Sequence, residues 1–428
     1  MNNKVIKVAI IGLGSRGCEC YGNIMLGLKD KFEIVSLCDI KEDKLERSKK
    51  LFEVEDSNCF LSDEEFLKAK RADALIIATP DDCHVRHCKK ALELGYDILL
   101  EKPLTDKKEE CIDLLATQKK YGGKVVVCHV LRYASSFTKV DELINEGTIG
   151  RLVSIQAIEQ VHYWHQAHSY VRGNWRKRSE STPMILAKCC HDLDLLQYYA
   201  KSRCKSVSSI GELSFFKEEN APVGSASRCT KCKYMNTCPY SAKRIYIDMW
   251  KKEGCQENTW PMNVISLARP LTEESLMKAI EEGPYGRCVF RCDNDVVDNQ
   301  SVQMEFENGV KATLTMMAFT GNAGRVYKFY GTIGEIDLDE ERGLIHIKKF
   351  GEDEVSLNIN DLVTINGGHG GGDDGLIKTW YEILVGNNTH YTSLEASIES
   401  HLMGIASEES RLSGGKLIYL HEGEGHGN

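Results

Sequence analysis

The chain reads as an α/β protein, a doubly wound parallel sheet followed by an α+β domain with an open, mostly antiparallel sheet. Three observations predict this. An apolar, β-branched run, Val5 to Ile11, leads into the turn Gly12-Leu13-Gly14-Ser15-Arg16-Gly17, then a segment of helical spacing, then a second run, Phe32 to Cys38, ending at Asp39. Strand and helix patterns alternate from there to about residue 128, which specifies a parallel sheet. Beyond that point the rhythm changes to short alternating runs separated by turns such as Glu307-Asn308-Gly309, the pattern of an antiparallel meander.

The first unit has the parts a dinucleotide needs. Gly12 permits the tight turn, Gly14 lets the backbone approach a pyrophosphate, and Gly17 lets helix and strand pack closely. The helix amino terminus, with Ser15 and Arg16, presents free N–H groups and a positive dipole end to phosphates. Asp39 lies about 20 residues past the last glycine, where a carboxylate accepts the hydroxyls of an adenosine ribose and repels a 2′-phosphate. The expected cofactor of this Rossmann unit is therefore NAD.

The remaining elements follow in order. Glu42 to Leu51 is helical, Ser62 caps the helix that begins at Asp63, and Ala74 to Ala78 is a buried strand stopped by Thr79-Pro80. Asp82 opens a helix to Leu94, and Asp97 to Leu100 is a strand ending in Glu101-Lys102-Pro103. Asp106 is expected to cap a helix to Tyr121, and Lys124 to Val130 is the last strand of the first unit. The domains are then 1–128 and 129–428, the second interrupted by a cysteine-rich insertion at about 211–290. After a helix over Phe137 to Asn145 and a strand over Leu152 to Glu159, strands are expected at 302–306, 312–318, 326–330, 335–338 and 344–349. The tail from Leu376 to Leu412 is mostly helical.

Composition narrows the function. At 428 residues the chain exceeds one ordinary core. A net charge of −9 without a basic block argues against nucleic acid and anionic membrane as partners. No apolar run approaches the roughly 18 residues of a membrane helix, and the first strand begins too close to Met1 for a signal peptide. Seventeen cysteines in such a chain read as reduced thiols, which places the protein in the cytoplasm.

Three stretches now fall together: Gly12 to Gly17, Thr79-Pro80-Asp81 with His84, and Glu101-Lys102-Pro103. In this order the chain resembles the glucose–fructose oxidoreductase and inositol dehydrogenase family (Gfo/Idh/MocA) over essentially its whole length, apart from the insertion. The resemblance implies a nicotinamide-dependent oxidoreductase acting on a ring hydroxyl of sugars, glycosides or cyclitols. Lys102 matches the family's catalytic lysine. Thr79 and Pro80 match the turn flanking the nicotinamide, with His84 and Glu101 beside the cofactor, and the Lys102–Pro103 peptide is expected to be cis. A homo-oligomer, dimer or tetramer, is expected through the second sheet.

The residues support this chemistry on their own. Lys102 sits at the carboxyl end of a parallel strand, where open α/β sheets bind ligands. Alternation along the strand turns Glu101 to the other face, so it is not the direct ion-pair partner of Lys102. In Lys188-Cys189-Cys190-His191-Asp192-Leu193-Asp194, a helix over Met184 to Tyr199 steps Lys188, His191 and Asp194 round at intervals of three. Asp194 is then positioned to orient His191. The family carries an aspartate four residues before the histidine, and this chain has Ala187 there, followed by Lys188. The proton acceptor is therefore His191 or Lys188, and His191 is the candidate that titrates near neutrality unaided. Substrate contacts are expected from Arg132, Tyr163, His165, Arg172, Trp175 and Asp194, and from His369 and Asp373 in the run Gly367 to Asp373. Aromatic faces stack on sugar C–H surfaces while polar side chains bond hydroxyls.

Cys229-x2-Cys232-x5-Cys238 places three thiols in ten residues, the spacing of a structural zinc site, with an iron–sulfur cluster as the competitor. Cys255, Cys288 and Cys292 are candidates for the fourth ligand, and resemblance to related sequences favours Cys288. Two rival functions stay open. One is a glycosidase that oxidises its ring transiently with bound NAD and eliminates the aglycone. The other is a non-catalytic NAD sensor.

Overall fold

A computed structural model describes residues 4–257, 259–362, 368–387 and 391–421. Six strands build the first sheet: β1 (Ile6–Ile11), β2 (Phe32–Cys38), β3 (Cys59–Phe60), β4 (Ala74–Ile77), β5 (Asp97–Leu100) and β6 (Val125–Val127). All pair in parallel, in the order β3-β2-β1-β4-β5-β6. The order reverses at β1 and β4, so the crevice above their carboxyl ends is the ligand-binding position of this topology. The β4 run Ala74-Leu75-Ile76-Ile77 is buried throughout, as a strand covered on both faces requires.

The covering comes partly from the far end of the chain. Leu376, Ile377 and Trp380 of the helix Gly372–Leu384 pack on one face of this sheet, with Tyr21 and Met25. Leu394 and Ile398 of the helix Leu394–Leu412 pack on the other face, with Cys88 and Leu114. The helical tail thus straps both faces of the first sheet and brings its leading residues to the glycine turn. Gly367 lies outside the described residues.

The second sheet has nine strands: β7 (Leu152–Gln160), β8 (Cys204–Glu212), β9 (Asn299–Phe306), β10 (Lys311–Met317), β11 (Gly324–Gly331), β12 (Gly334–Asp339), β13 (Leu344–Lys349), β14 (Val355–Asn358) and β15 (Ile418–Tyr419). Their order is β14-β13-β12-β11-β7-β10-β9-β8-β15. The meander is antiparallel except where β7 inserts between β11 and β10, parallel to β10, which makes the sheet mixed. The chain between β8 and β9 forms a small core of its own, built on Phe216, Tyr246, Trp250, Leu276 and Phe290.

Two local expectations change. Ser62 caps its helix through Glu65 N, but the helix Lys108–Tyr121 starts after Lys107 and draws no side-chain cap from Asp106. The expected helix over Met184 to Tyr199 is broken. Met184–Ala187 stops, Lys188 and Cys189 form a kink, and Cys190–Ala200 resumes. The kink turns Lys188 away from the helical register that sequence spacing assigned to it.

Candidate active site

The glycine turn is built around close backbone approach. Gly12 has φ +92°, and a Cβ there would stand 2.3 Å from the Ala78 carbonyl oxygen. A Cβ on Gly17 would meet Gly12 O at 2.0 Å, whereas one on Gly14 meets only Lys44 Nζ, at 3.7 Å. The first and third glycines are thus consumed by the fold, and Gly14 leaves open space where a pyrophosphate approaches. Asp39 is fixed to this turn: its carboxylate accepts from Leu13 N at 2.8 Å and Lys41 N at 2.9 Å. The residues fit a dinucleotide, with Gly14, Ser15 and the helix start against phosphate and Asp39 against ribose.

Arg16 links this turn to the rest of the cleft. Its guanidinium donates to Glu101 Oε1 and to Asp373 Oδ1, each at 2.7 Å, and also to Tyr21 OH. Burial alone raises the Glu101 carboxyl, but Arg16 and Lys102 overcome it and hold the group below its usual range. Asp373 in turn binds His369 Nδ1 at 2.9 Å. His369 has φ +52° and its ring stands 6.3 Å from that of His191. The glycine-rich run thus brings both of its expected residues to the site, Asp373 as the anchor and His369 towards the histidine.

Glu101 and His84 do less than expected of cofactor ligands. Glu101 is buried and reaches the turn only through Arg16 and Tyr21. The His84 ring is buried between two backbone carbonyls, Pro103 O at 2.7 Å and Thr79 O at 2.9 Å. It clamps the Thr79–Pro80 turn to the Lys102–Pro103 turn, whose peptide is cis, and has no free edge for a cofactor.

The Lys102 ammonium donates to Ala187 O at 3.4 Å, whereas Glu101 binds Arg16 and Tyr21. That contact brings the end of β5 against the kink that carries Lys188. His191 lies in the first turn of the next helix, buried, its ring 5.7 Å from that of His129 and its Nδ1 without a hydrogen-bond partner among the described residues. Burial, then the charges of Lys102 and other nearby cations, pushes His191 well below the ordinary imidazole range. It is a neutral acceptor at pH 7, and it titrates well below the neutrality that its sequence suggested.

Asp194 does not orient His191. It is buried and binds Arg132 through two bonds, Nε–Oδ2 at 2.6 Å and Nη2–Oδ1 at 2.7 Å. Both groups are spent on each other, so neither is a free substrate contact. Arg172 is likewise displaced. It is buried in the insertion core, donating to Arg287 O at 2.8 Å and Tyr240 O at 2.7 Å.

His165 and Trp175 stay together in an aromatic row, while the Tyr163 ring packs on His162 and Tyr240. His165 lies 5.8 Å from Tyr170, which lies 6.3 Å from Trp175. Burial depresses the His165 imidazole, and the charges of Lys188 and Lys102 depress it further, so this ring belongs to the same cleft. The insertion adds a residue that sequence reasoning missed. Trp260 is 40% exposed and packs 4.9 Å from His165 and 5.2 Å from Trp164. Asp81, part of the Thr79-Pro80-Asp81 stretch but given no role from sequence, is half-buried beside Thr182, with His84 and Lys102 acting on its carboxyl.

The zinc expectation finds no support among the described residues. Cys229, Cys232, Cys238 and Cys288 do line one cavity, yet among the described residues no group of three or more His, Cys, Asp or Glu is placed to hold a metal ion. Arg172 shares that cavity, with its Nη2 3.6 Å from Cys229 Sγ, and Cys229 points towards Arg287 O. Burial raises the Cys238 and Cys288 thiols above their ordinary range. All seventeen cysteines are free thiols. Among the described residues no helix is long and apolar enough to cross a membrane.

Comparison with known proteins agrees with this architecture. Residues 6–129 match the model of an oxidoreductase family with an NAD-binding Rossmann fold, and residues 141–417 match that family's C-terminal alpha/beta domain. YteT of Bacillus subtilis (strain 168), named as an oxidoreductase, is 24% identical over 394 residues, 87% of each chain. The scyllo-inositol 2-dehydrogenase (NADP(+)) IolW of the same organism is 24% identical over 173 residues, which cover 40% of this chain and 45% of that one. Among solved structures, the WlbA dehydrogenase from Bordetella pertussis in complex with NADH and UDP-GlcNAcA superposes with a TM-score of 0.70 at 15% identity, covering 98% of this chain and 99% of that chain. The glycine turn, the Lys102 strand end and the mixed second sheet therefore belong to one known design: the chain is a member of the Gfo/Idh/MocA oxidoreductase family.

Proposed function

We propose that this protein is an NAD-dependent dehydrogenase that oxidises a secondary hydroxyl of a sugar, glycoside or cyclitol. The observation that carries the reading is that Lys102, beyond the carboxyl end of a parallel strand, bonds Ala187 O and acts electrostatically on the buried His191. The names of two relatives, an inositol dehydrogenase and a dehydrogenase bound to a nucleotide sugar, point to the same substrate chemistry.

NAD, when bound, supplies the hydride acceptor. The Lys102 ammonium donates to the reacting oxygen and stabilises charge as it develops. His191, neutral and half-ringed by cations, takes the hydroxyl proton at its imidazole nitrogen. Tyr163, His165 and Trp175 stack on the ring, and His369 bonds a hydroxyl while Asp373 holds it. Asp39 favours NAD over NADP. Outward-facing Val153 and Ile158 on β7 and Ile210 on β8 support a homo-oligomer formed through the second sheet.

A panel of sugars, glycosides and cyclitols with NAD tests the function, following NADH absorbance and released aglycone together. NADH rising in proportion to product supports the dehydrogenase. Aglycone released over many turnovers at constant NADH identifies the redox-neutral glycosidase instead, and neither signal leaves a cofactor-binding sensor.

A further inference from the structure

Behind the cleft lies a set of buried charges that the reaction above does not use. Glu159 ends the inward-facing series of β7 and is fully buried. Its Oε1 stands 3.1 Å from Lys188 Nζ and its Oε2 stands 2.8 Å from Arg325 Nη2. Arg325, on β11, also binds Asp192 Oδ1 through Nε at 2.8 Å, and Glu340 lies 3.5 Å from its Nη1. Tyr327 OH donates to the same Asp192 oxygen at 3.0 Å. Two cations and three carboxylates thus alternate, from Lys188 through Glu159 and Arg325 to Asp192 and Glu340. In this chain of contacts Lys188 is the member at the cleft, beside the Lys102–Ala187 contact and within the electrostatic reach of His165.

Burying ions costs several kcal/mol each, and a hydrophobic replacement is often as stable, so such a network is weak evidence for stability alone. What it does achieve is geometric. Lysine is a flexible point charge on four methylenes, and here its stem leaves a helix break with no regular backbone to direct it. A buried carboxylate, itself ion-paired with Arg325, confines that ammonium.

We propose that Glu159 is the positioning residue for Lys188, and that Lys188 is a fixed ammonium which binds an oxygen of the substrate rather than a base that removes its proton. The inference rests on the dehydrogenase reading only for the identity of the substrate. The groups facing Lys188 agree with it. Glu159 faces its ammonium as an opposite charge, and Asp192 lies within reach of it from the next helix. Lys102 and Arg325, cations themselves, offer no acceptor that would take its proton. The acceptor role is left to His191.

Two measurements test this, and the first needs no substrate. Protein is pulse-labelled with acetic anhydride and acylation at Lys188 is read by peptide mass spectrometry, with NAD affinity as a control of fold. An amine must be unprotonated and free of its partner to react. Glu159→Gln should therefore raise labelling at Lys188 about tenfold, while a surface lysine such as Lys139 is unchanged. If Glu159→Gln fails to fold, Glu159→Asp, which keeps the charge and withdraws it by one methylene, should show the same direction. Unchanged labelling in the variant that folds overturns the positioning role.

The second measurement is a cycle on whichever compound reduces NAD. Lys188→Met should lower kcat/KM about 10²-fold without removing the acid limb of the pH profile. Glu159→Gln in the Lys188→Met background should add nothing. A full Glu159→Gln effect in that background means Glu159 serves the fold through Arg325, and loss of the acid limb in Lys188→Met makes Lys188 the base; either result overturns the proposal. If no compound reduces NAD, the dehydrogenase reading falls while the labelling result still decides the Lys188–Glu159 pair.

Discussion

His191 and Lys102 show how surroundings assign roles to side chains that sequence can only nominate. Both come to the crevice because one follows the end of a parallel strand and the other lies in the first turn of a helix after a kink. Lys102→Met should leave NAD affinity within a few fold and lower turnover about 10²-fold, the scale of one preorganised donor. Equilibrium NAD binding and steady-state rates check it together. His191→Asn should cost about 10²–10⁴-fold. The acceptor works only when neutral, and burial with its neighbouring cations depresses its pKa. Activity should therefore persist as pH falls through 6.5 and decline only below that, and Asn should abolish the decline. A wild-type limb centred at or above 6.5 contradicts the environment described for this ring. For Asp39, Ala should weaken NAD while leaving NADP less affected. Equal affinity of the unmutated protein for both cofactors contradicts the ribose role.

At the scale of elements, the parallel sheet was legible because its strands are buried on both faces and its turns carry glycine where only glycine fits. Gly17→Ala puts a methyl 2.0 Å from Gly12 O. It should abolish detectable NAD binding in calorimetry, and unchanged binding would mean the turn is looser than described. The second sheet was legible as a meander, but not the parallel seat of β7, since alternation states which face a residue takes and not which strand lies beside it. That same alternation did hold an unread signal. With Ile155 and Ala157 facing inward, Glu159 must face inward too, and a carboxylate on a core face announces a buried partner. Asp194 and Arg172 were misassigned for a related reason. Spacing places them near the cleft, while their partners, Arg132 and the carbonyls of Arg287 and Tyr240, come from distant segments. Cysteine spacing likewise gave a shared cavity but not its geometry. Trp260 is the contribution of the insertion to the mouth of the cleft. Trp260→Ala should raise KM more than it lowers kcat, and an equal fall in kcat at constant KM would place it with the chemistry instead.

For the molecule as a whole, several buried histidines tie stability to pH. Burial pushes His168 and His401 down to about 3, and holds His129, His165 and His191 well below the ordinary value. A group depressed in the folded state binds its proton more weakly than in the unfolded chain. Its contribution is complete above about 6.5, the unfolded value, and is lost as pH falls towards 3. Asp192, raised by burial to about 6, acts in the opposite sense, contributing below the unfolded carboxylate value and losing that contribution as pH rises through about 6. The histidines outnumber it. Tm from calorimetry should be highest above pH 6.5 and fall steadily on acidification, and His168→Asn should flatten the slope. A Tm that is constant or rises between pH 6.5 and 4 contradicts the neutral, buried state of these rings.

The tail helices that strap the first sheet, the kink at Lys188 and the glycine turn all converge on one reacting hydroxyl. The most direct test of that convergence uses a polyol or glycoside found active in the panel, carrying deuterium on its carbinol carbon. Mass spectrometry then follows the label. The account predicts NADH that carries one deuterium per molecule of oxidised product, formed about 10²-fold more slowly by Lys102→Met at the same NAD occupancy. Label that remains in the product, or exchanges with water without reaching the nicotinamide, would contradict it.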